Sequence, residues 1–219
     1  MLFLVSLAAQ AASPQALDLA ESRSLMLALP AGNVTIEHGE AMAVSVTQTQ
    51  WDDRCSLVVD DGTAASVSVK ARRKADCAVD VVVTLPADGR VRLELAAGDV
   101  LVRQAQGSVD LLVEDGDVAL DGATGSVFAA IDNGYLHGST SGGLLAEMGV
   151  GDVSVAWSAL PSGDIQVQAR KGDVQLTLPA GVVLDDEARR DKDIFRVSLP
   201  GDRVLNATAQ RGDIAVTSG

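Results

Sequence analysis

Aromatic side chains are nearly missing from this sequence: two Trp, one Tyr and three Phe, or 3% of 219 residues. That scarcity argues against an aromatic-lined sugar cleft and against a surface that stacks nucleotide bases. Basic residues are outnumbered, with 17 Lys and Arg against 30 Asp and Glu, for a net charge of −13. A field of that sign repels phosphate backbones and anionic lipid, so no nucleic-acid partner is expected. No apolar run is long enough to cross a bilayer as a helix, so an integral membrane protein is not expected. Prolines number only 6 and cysteines 2. The familiar catalytic signatures are absent as well. There is no Gly-x-Ser-x-Gly elbow, since Gly138-Ser139-Thr140-Ser141-Gly142 has the wrong spacing. There is no phosphate-binding loop and no zinc-protease histidine pair. The two histidines, His38 and His137, lie far apart and read as exposed strand or turn residues.

What the chain does have is 47% hydrophobic residues and 21 glycines. With so few aromatics the core must be Val, Leu, Ala and Ile, and the β-branched members suit a pleated surface. Short strands joined by glycine corners follow. The opening run Met1-Leu2-Phe3-Leu4-Val5-Ser6-Leu7-Ala8 leads to Ala9-Gln10-Ala11. That pattern fits a signal peptide over 1–11, cleaved before Ala12, although its positive n-region is missing. The mature chain, 12–219, is then expected outside the cytoplasm, in the periplasm or at the cell surface. There, Cys55 and Cys77 are expected to form a disulfide between adjacent strands, stabilising by about 3 kcal/mol.

The strongest signal is internal repetition. Glycines fall nine residues apart at Gly98, Gly107, Gly116, Gly125, Gly134 and Gly143. The register slips to Gly151 and resumes at Gly163 and Gly172. Most are followed by one small or polar residue and then an aliphatic one. Gly98-Asp99-Val100, Gly116-Asp117-Val118, Gly151-Asp152-Val153, Gly163-Asp164-Ile165 and Gly172-Asp173-Val174 are the acidic copies, with Gly212-Asp213-Ile214 as an outlier. Gly-Ser-Val copies at 107 and 125 alternate with them, which points to a two-strand unit of eighteen residues. Between glycines the apolar residues alternate, as in Val109, Leu111 and Val113, the period of a strand with one buried face. Gly supplies positive φ at a corner and Asp bonds nearby backbone N–H groups. The expected fold is all-β: a β-solenoid of about nine-residue strand-turn repeats with irregular β capping regions. A sheet of hairpins is the alternative.

Strands are expected at 24–29 and 33–37. The chain divides into an irregular β cap with the Cys pair (30–95), regular Gly-Asp-Val repeats (96–178) and a C-terminal cap (179–219), all within one domain. The charged stretch Asp185-Asp186-Glu187 to Asp193 reads as a loop with room for a helical turn.

The run of triplets, together with Val83-Thr84-Leu85-Pro86-Ala87, Leu176-Thr177-Leu178-Pro179-Ala180 and the ending Ala207 to Ile214, resembles a known family. It is that of the bacterial exported adhesin-like β-strand-repeat proteins, a domain family of unknown function, and the likeness covers roughly 30 to 217. It implies a β-helix-like fold and an envelope or surface setting, and for some relatives a part in envelope stress. It supplies no catalytic residues.

Three functions follow for weighing. The favoured one is a non-enzymatic binding or structural protein whose partner is an envelope protein, a polysaccharide or another copy, with no cofactor and no metal. The second is a calcium-binding β-roll. One Asp per corner supplies few of the six to eight oxygens calcium takes, and the paired-glycine nonapeptide of toxin β-rolls is missing. The third is a polysaccharide-active enzyme using two carboxylates from Asp152, Asp164 and Asp173; Arg170-Lys171 would be a solvated corner rather than a base. Tyr135 is the candidate contact residue. Trp51 is a second one, and Trp157 reads as core filling because it continues Val153 and Val155 in period two.

Overall fold

The computed structural model describes residues 2–5, 14–72, 75–182, 189–191 and 193–219. Among them every regular element is a strand. The leading part holds β1 (Leu2–Val5), β2 (Gln15–Asp18), β3 (Ser24–Leu29), β4 (Val34–His38), β5 (Ala43–Gln50), β6 (Cys55–Asp60), β7 (Ala64–Ala71) and β8 (Ala78–Leu85). The glycine-punctuated part holds β9 (Arg90–Ala97), β10 (Val100–Arg103), β11 (Ser108–Asp115), β12 (Val118–Ala123), β13 (Val127–Asn133), β14 (Leu136–Thr140), β15 (Leu144–Val150), β16 (Val153–Trp157), β17 (Ile165–Lys171) and β18 (Val174–Leu178). The chain closes with β19 (Arg189–Asp191), β20 (Ile194–Leu199), β21 (Arg203–Ala209) and β22 (Ile214–Ser218).

These strands form two sheets. The first runs β1-β6-β7-β3-β9-β11-β13-β15-β17-β21-β20-β19, and the second β2-β5-β8-β4-β10-β12-β14-β16-β18-β22. From β9 to β18 the chain alternates between them. Each strand pairs in parallel with the one two ahead, so Val100 faces Val118 and Val109 faces Val127. That offset is the eighteen-residue unit read from the glycine beat. Hairpins, which pair antiparallel, are excluded for this region.

Alternation of burial along each strand builds the core. In the first sheet Val91, Val109, Val127, Leu144 and Ile165 stack in one inward column, and Leu93 and Leu111 head the next. Val34, Val100, Val118, Leu136, Val153 and Val174 oppose them from the second sheet. All are buried. No single two-strand unit could bury its inward face; stacking supplies the partner surface.

The leading part departs from expectation in two ways. Within the stretch expected to be irregular, β7 and β8 join the stack in parallel beside β3 and β4. Only β1, β2, β5 and β6 are antiparallel additions. The Cys55–Cys77 disulfide is formed, with an S–S distance of 2.07 Å. It does not join adjacent strands, however. Cys55 opens β6 in the first sheet and Cys77 precedes β8 in the second, so the bond spans the corner where the chain changes sheet. Towards the C-terminus, the hairpin β19–β20 extends the first sheet against β21. Asp185-Asp186-Glu187 and the signal-peptidase motif Ala9-Gln10-Ala11 lie outside the described residues.

Candidate functional site

The two corners of the stack are built differently. Where the chain passes from the first sheet to the second, Gly32, Gly98, Gly116, Gly134, Gly151, Gly172 and Gly212 stand in a column. Gly116 has φ +153°, and a Cβ there would land on the carbonyl oxygen of Gly98. Gly172, at φ +135°, has the same relation to Gly151. Strand spacing brings each corner so close to the last that only a bare Cα fits.

The residue after each glycine forms a second column, and its side chain ties one unit to the next. The Asp117 N–H donates to Asp99 Oδ1 at 3.0 Å, and the Tyr135 N–H to Asp117 Oδ1 at 3.0 Å. Asp173 and Asp213 donate in the same way to Asp152 and Asp173, each at 2.9 Å. Asn33 accepts from the Asp99 N–H at 3.3 Å, and its own N–H donates to Asp80 Oδ1 at 3.0 Å, so the ladder begins at Asp80. The expected local bond, within one corner, is therefore replaced by a bond 18 to 66 residues along the chain. The stack places the next N–H nearer than any within the corner. Tyr135 is 52% exposed and interrupts the ladder, since it has no carboxylate for the next N–H.

Gly163-Asp164-Ile165 does not belong to this column. It lies at the far corner, where the chain returns from the second sheet to the first, beside Gly143. Asp164 Oδ1 accepts from the Val204 N–H at 3.0 Å. The acidic triplets look alike in sequence because both corners use Gly before a short polar residue. Asp152, Asp164 and Asp173 thus each give an oxygen to the backbone. Among the described residues no cluster of three or more His, Cys, Asp or Glu is arranged to hold a metal ion.

Trp157 is buried and its indole N–H donates to Gly142 O at 3.1 Å, beside buried Thr140, which bonds Ala123 O at 2.8 Å. Trp51 is half-buried against the core. His38 ends β4 and His137 faces outward from β14.

The sequence reading missed the surface best shaped for recognition, the outward face of the first sheet. Register sets Ala28, Glu94, Leu112, Ala130, Glu147 and Gln168 in one outward column. The neighbouring column holds Met26, Arg92, Asp110, Phe128, Leu145 and Gln166. Leu112, Phe128 and Leu145 thus form an apolar island on a solvent-facing surface. On its glycine-corner side lies a groove of about 580 Å³, floored by Ala28, Leu112 and Ala130 and edged by Glu94, Glu114 and Asp132. A second hollow of about 300 Å³ shares Ala130 and Asp132 with it and continues past Glu147 to Arg170. On the far-corner side a third, of about 350 Å³, includes Phe128, Leu145, Arg90 and Asp110. The Asp110 carboxylate bonds Arg90 and holds that guanidinium protonated above its ordinary range. Apolar residues at outward positions of β11, β13 and β15 were the sequence signal for this face.

No family model matches the chain, and no curated protein matches it. Two solved structures align with the chain over most of its length. One is a crystal structure of a proposed cell adhesion protein from Clostridium sporogenes, 11% identical, with a TM-score of 0.46 over 95% of this chain and 100% of that one. The other is a proposed adhesin from Parabacteroides distasonis, 11% identical, with a TM-score of 0.28 over 95% and 97%. At these overlaps neither carries a function across.

Proposed function

We propose that this chain is a non-enzymatic, exported two-sheet β-solenoid with an adhesin-like role, binding a partner of the cell envelope or surface on the outward face of its first sheet. One observation carries the reading: a groove and an apolar island lie side by side on the continuously parallel run from β3 to β21 of the first sheet. Apolar surface of that kind on a solvent-facing sheet marks an interaction site. The Cys55–Cys77 disulfide supports an oxidising compartment. The eighteen-residue parallel offset supports the solenoid.

The test is retention on immobilised envelope material, comparing the oxidised chain with Ala130→Trp, which fills the groove from its floor. The expected result is at least a tenfold loss of retention with an unchanged melting temperature. Equal retention by both proteins would overturn the reading. Release of reducing ends from envelope polysaccharide, abolished by Asp164→Asn, would favour the enzyme instead.

The calcium β-roll makes a separate demand on the same residues. The ladder carboxylates already accept backbone N–H bonds, so millimolar calcium is expected to move the melting temperature by no more than about 1 °C relative to chelator. A rise of many degrees would make the Asp corners metal ligands.

A further inference from the structure

The groove beside Ala130 has a charge pattern that selects among partners, on the reading that this face is the binding face. We infer that its occupant is an extended polypeptide segment, cationic at its centre and apolar on the side that meets the sheet. The two hollows that share Ala130 and Asp132 cross β3, β9, β11, β13, β15, β17 and β21. Six strand spacings make this about 29 Å, the length of about eight extended residues. Glu114, Asp132 and Glu147 lie near its middle on three successive strands, β11, β13 and β15. Among the described residues they make no ion pair, whereas Glu94 is held by Arg92 at 3.1 Å. Arg170 marks one end of the groove, so the negative potential is central rather than uniform.

Three features favour this occupant over the others. The floor is aliphatic and small, with no aromatic ring among the groove residues, so it offers no stacking platform for a sugar. A second copy would bring the same carboxylates against these at a net charge of −13, and like charges at an interface oppose pairing. Glu114 and Asp132 lie opposite each other in register, about 4.8 Å apart. Glu147 lies diagonally from Asp132, opposite Ala130, so the three carboxylates form a compact triangle within reach of two adjacent lysines.

The test uses the full oxidised chain and a capped eight-residue Leu-Lys peptide with two adjacent central lysines, one on each face of the extended backbone, and Leu and Ser elsewhere, with a Leu-Ser peptide as control. Calorimetry compares wild type with Glu114→Gln/Asp132→Asn/Glu147→Gln. A second triple variant, Glu37→Gln/Glu40→Gln/Asp121→Asn, removes the same net charge away from the groove. The expected result is at least a tenfold weaker Kd for the groove triple and less than a twofold change for the other. Amide shifts on the labelled chain should cluster on β11, β13 and β15. Equal weakening by both triples means bulk attraction to an acidic protein and overturns the inference, as does a wild type that ignores the Leu-Lys peptide. If the peptide fails while Ala130→Trp still abolishes envelope retention, the face stands and its cationic occupant falls. If neither experiment responds, the face itself falls.

Discussion

At the scale of single residues, the column after the corner glycines explains why Asp recurs there. Each side chain supplies the acceptor that a backbone N–H of the next unit would otherwise take from water. Tyr135 is the exception, and its place makes a clean prediction. Tyr135→Asn would give the Asp152 N–H an acceptor, as Asn33 does for Asp99, without adding a charge between Asp117 and Asp152. A net hydrogen bond of about 1 kcal/mol should raise the melting temperature by about 2–4 °C in thermal unfolding. A fall would show that the Tyr135 ring is itself packed usefully. A different carboxylate offers a titration. Arg54 donates to the Asp52 carboxylate from its side chain and its backbone N–H, and holds its pKa below the ordinary range. The folded pKa is lowered, so the stabilisation is present above the ordinary carboxylate pKa and is lost as pH falls through the lowered one. Arg54→Gln should move the Asp52 midpoint upward in an NMR pH titration, and an unmoved midpoint would remove Arg54 as the cause.

At the scale of elements, the repeat region was readable because two periodicities coincide. Glycine spacing set the corner, and the alternation of Val109, Leu111 and Val113 set the buried face. The same logic located β3 and β4. It failed for β7 and β8, because stretches such as Ala65-Ser66-Val67-Ser68-Val69 alternate like any strand and nothing local names the neighbour. Pairing partners distant in sequence are decided by stacking, not by pattern. The candidate site was missed for a related reason. Leu112 and Phe128 read as ordinary members of apolar strands until register places them outward. The disulfide links elements that the sequence set in the wrong relation, and its effect should be regional. Cys55→Ser with Cys77→Ser opens a 22-residue separation and should cost about 3 kcal/mol. Hydrogen exchange is expected to speed up in β5 to β8 while β11 to β17 keep their protection. Uniform acceleration would mean that the cap and the stack unfold as one unit.

At the scale of the whole molecule, the two edges of the stack have different freedoms. Successive units are separated along the glycine column by 66, 18, 21 and 40 residues at different points. Each of the long steps leaves the stack after a strand of the second sheet and rejoins it at the next strand of the first, that is, at the far corner. Residues 39–89 leave after β4 and return at β9, Ser158 to Asp164 lengthen the link before β17, and the hairpin β19–β20 follows β18. From Gly98 to Gly212 the glycine edge keeps one form, because each Gly carbonyl sits where any added atom would fall; the β7–β8 crossing, where Val79 takes the place of a glycine, is the exception. A ten-residue Gly-Ser insert between Leu160 and Pro161 should therefore leave the melting temperature within about 4 °C, since a longer surface loop costs only about 1 kcal/mol in closure entropy. The same insert between Gly116 and Asp117 should abolish cooperative unfolding in a thermal scan, and equal tolerance at both positions would sink the distinction. One edge acts as a spine that fixes the pitch, and the other as a margin along which new segments can be written. The difference of 48 between the 66- and 18-residue steps suits a module added at that margin to a stack that already ran in even steps. The descent of such a chain would be recorded as segments gained at one corner only, with the run of glycine corners from Gly98 to Gly212 left intact as a ruler.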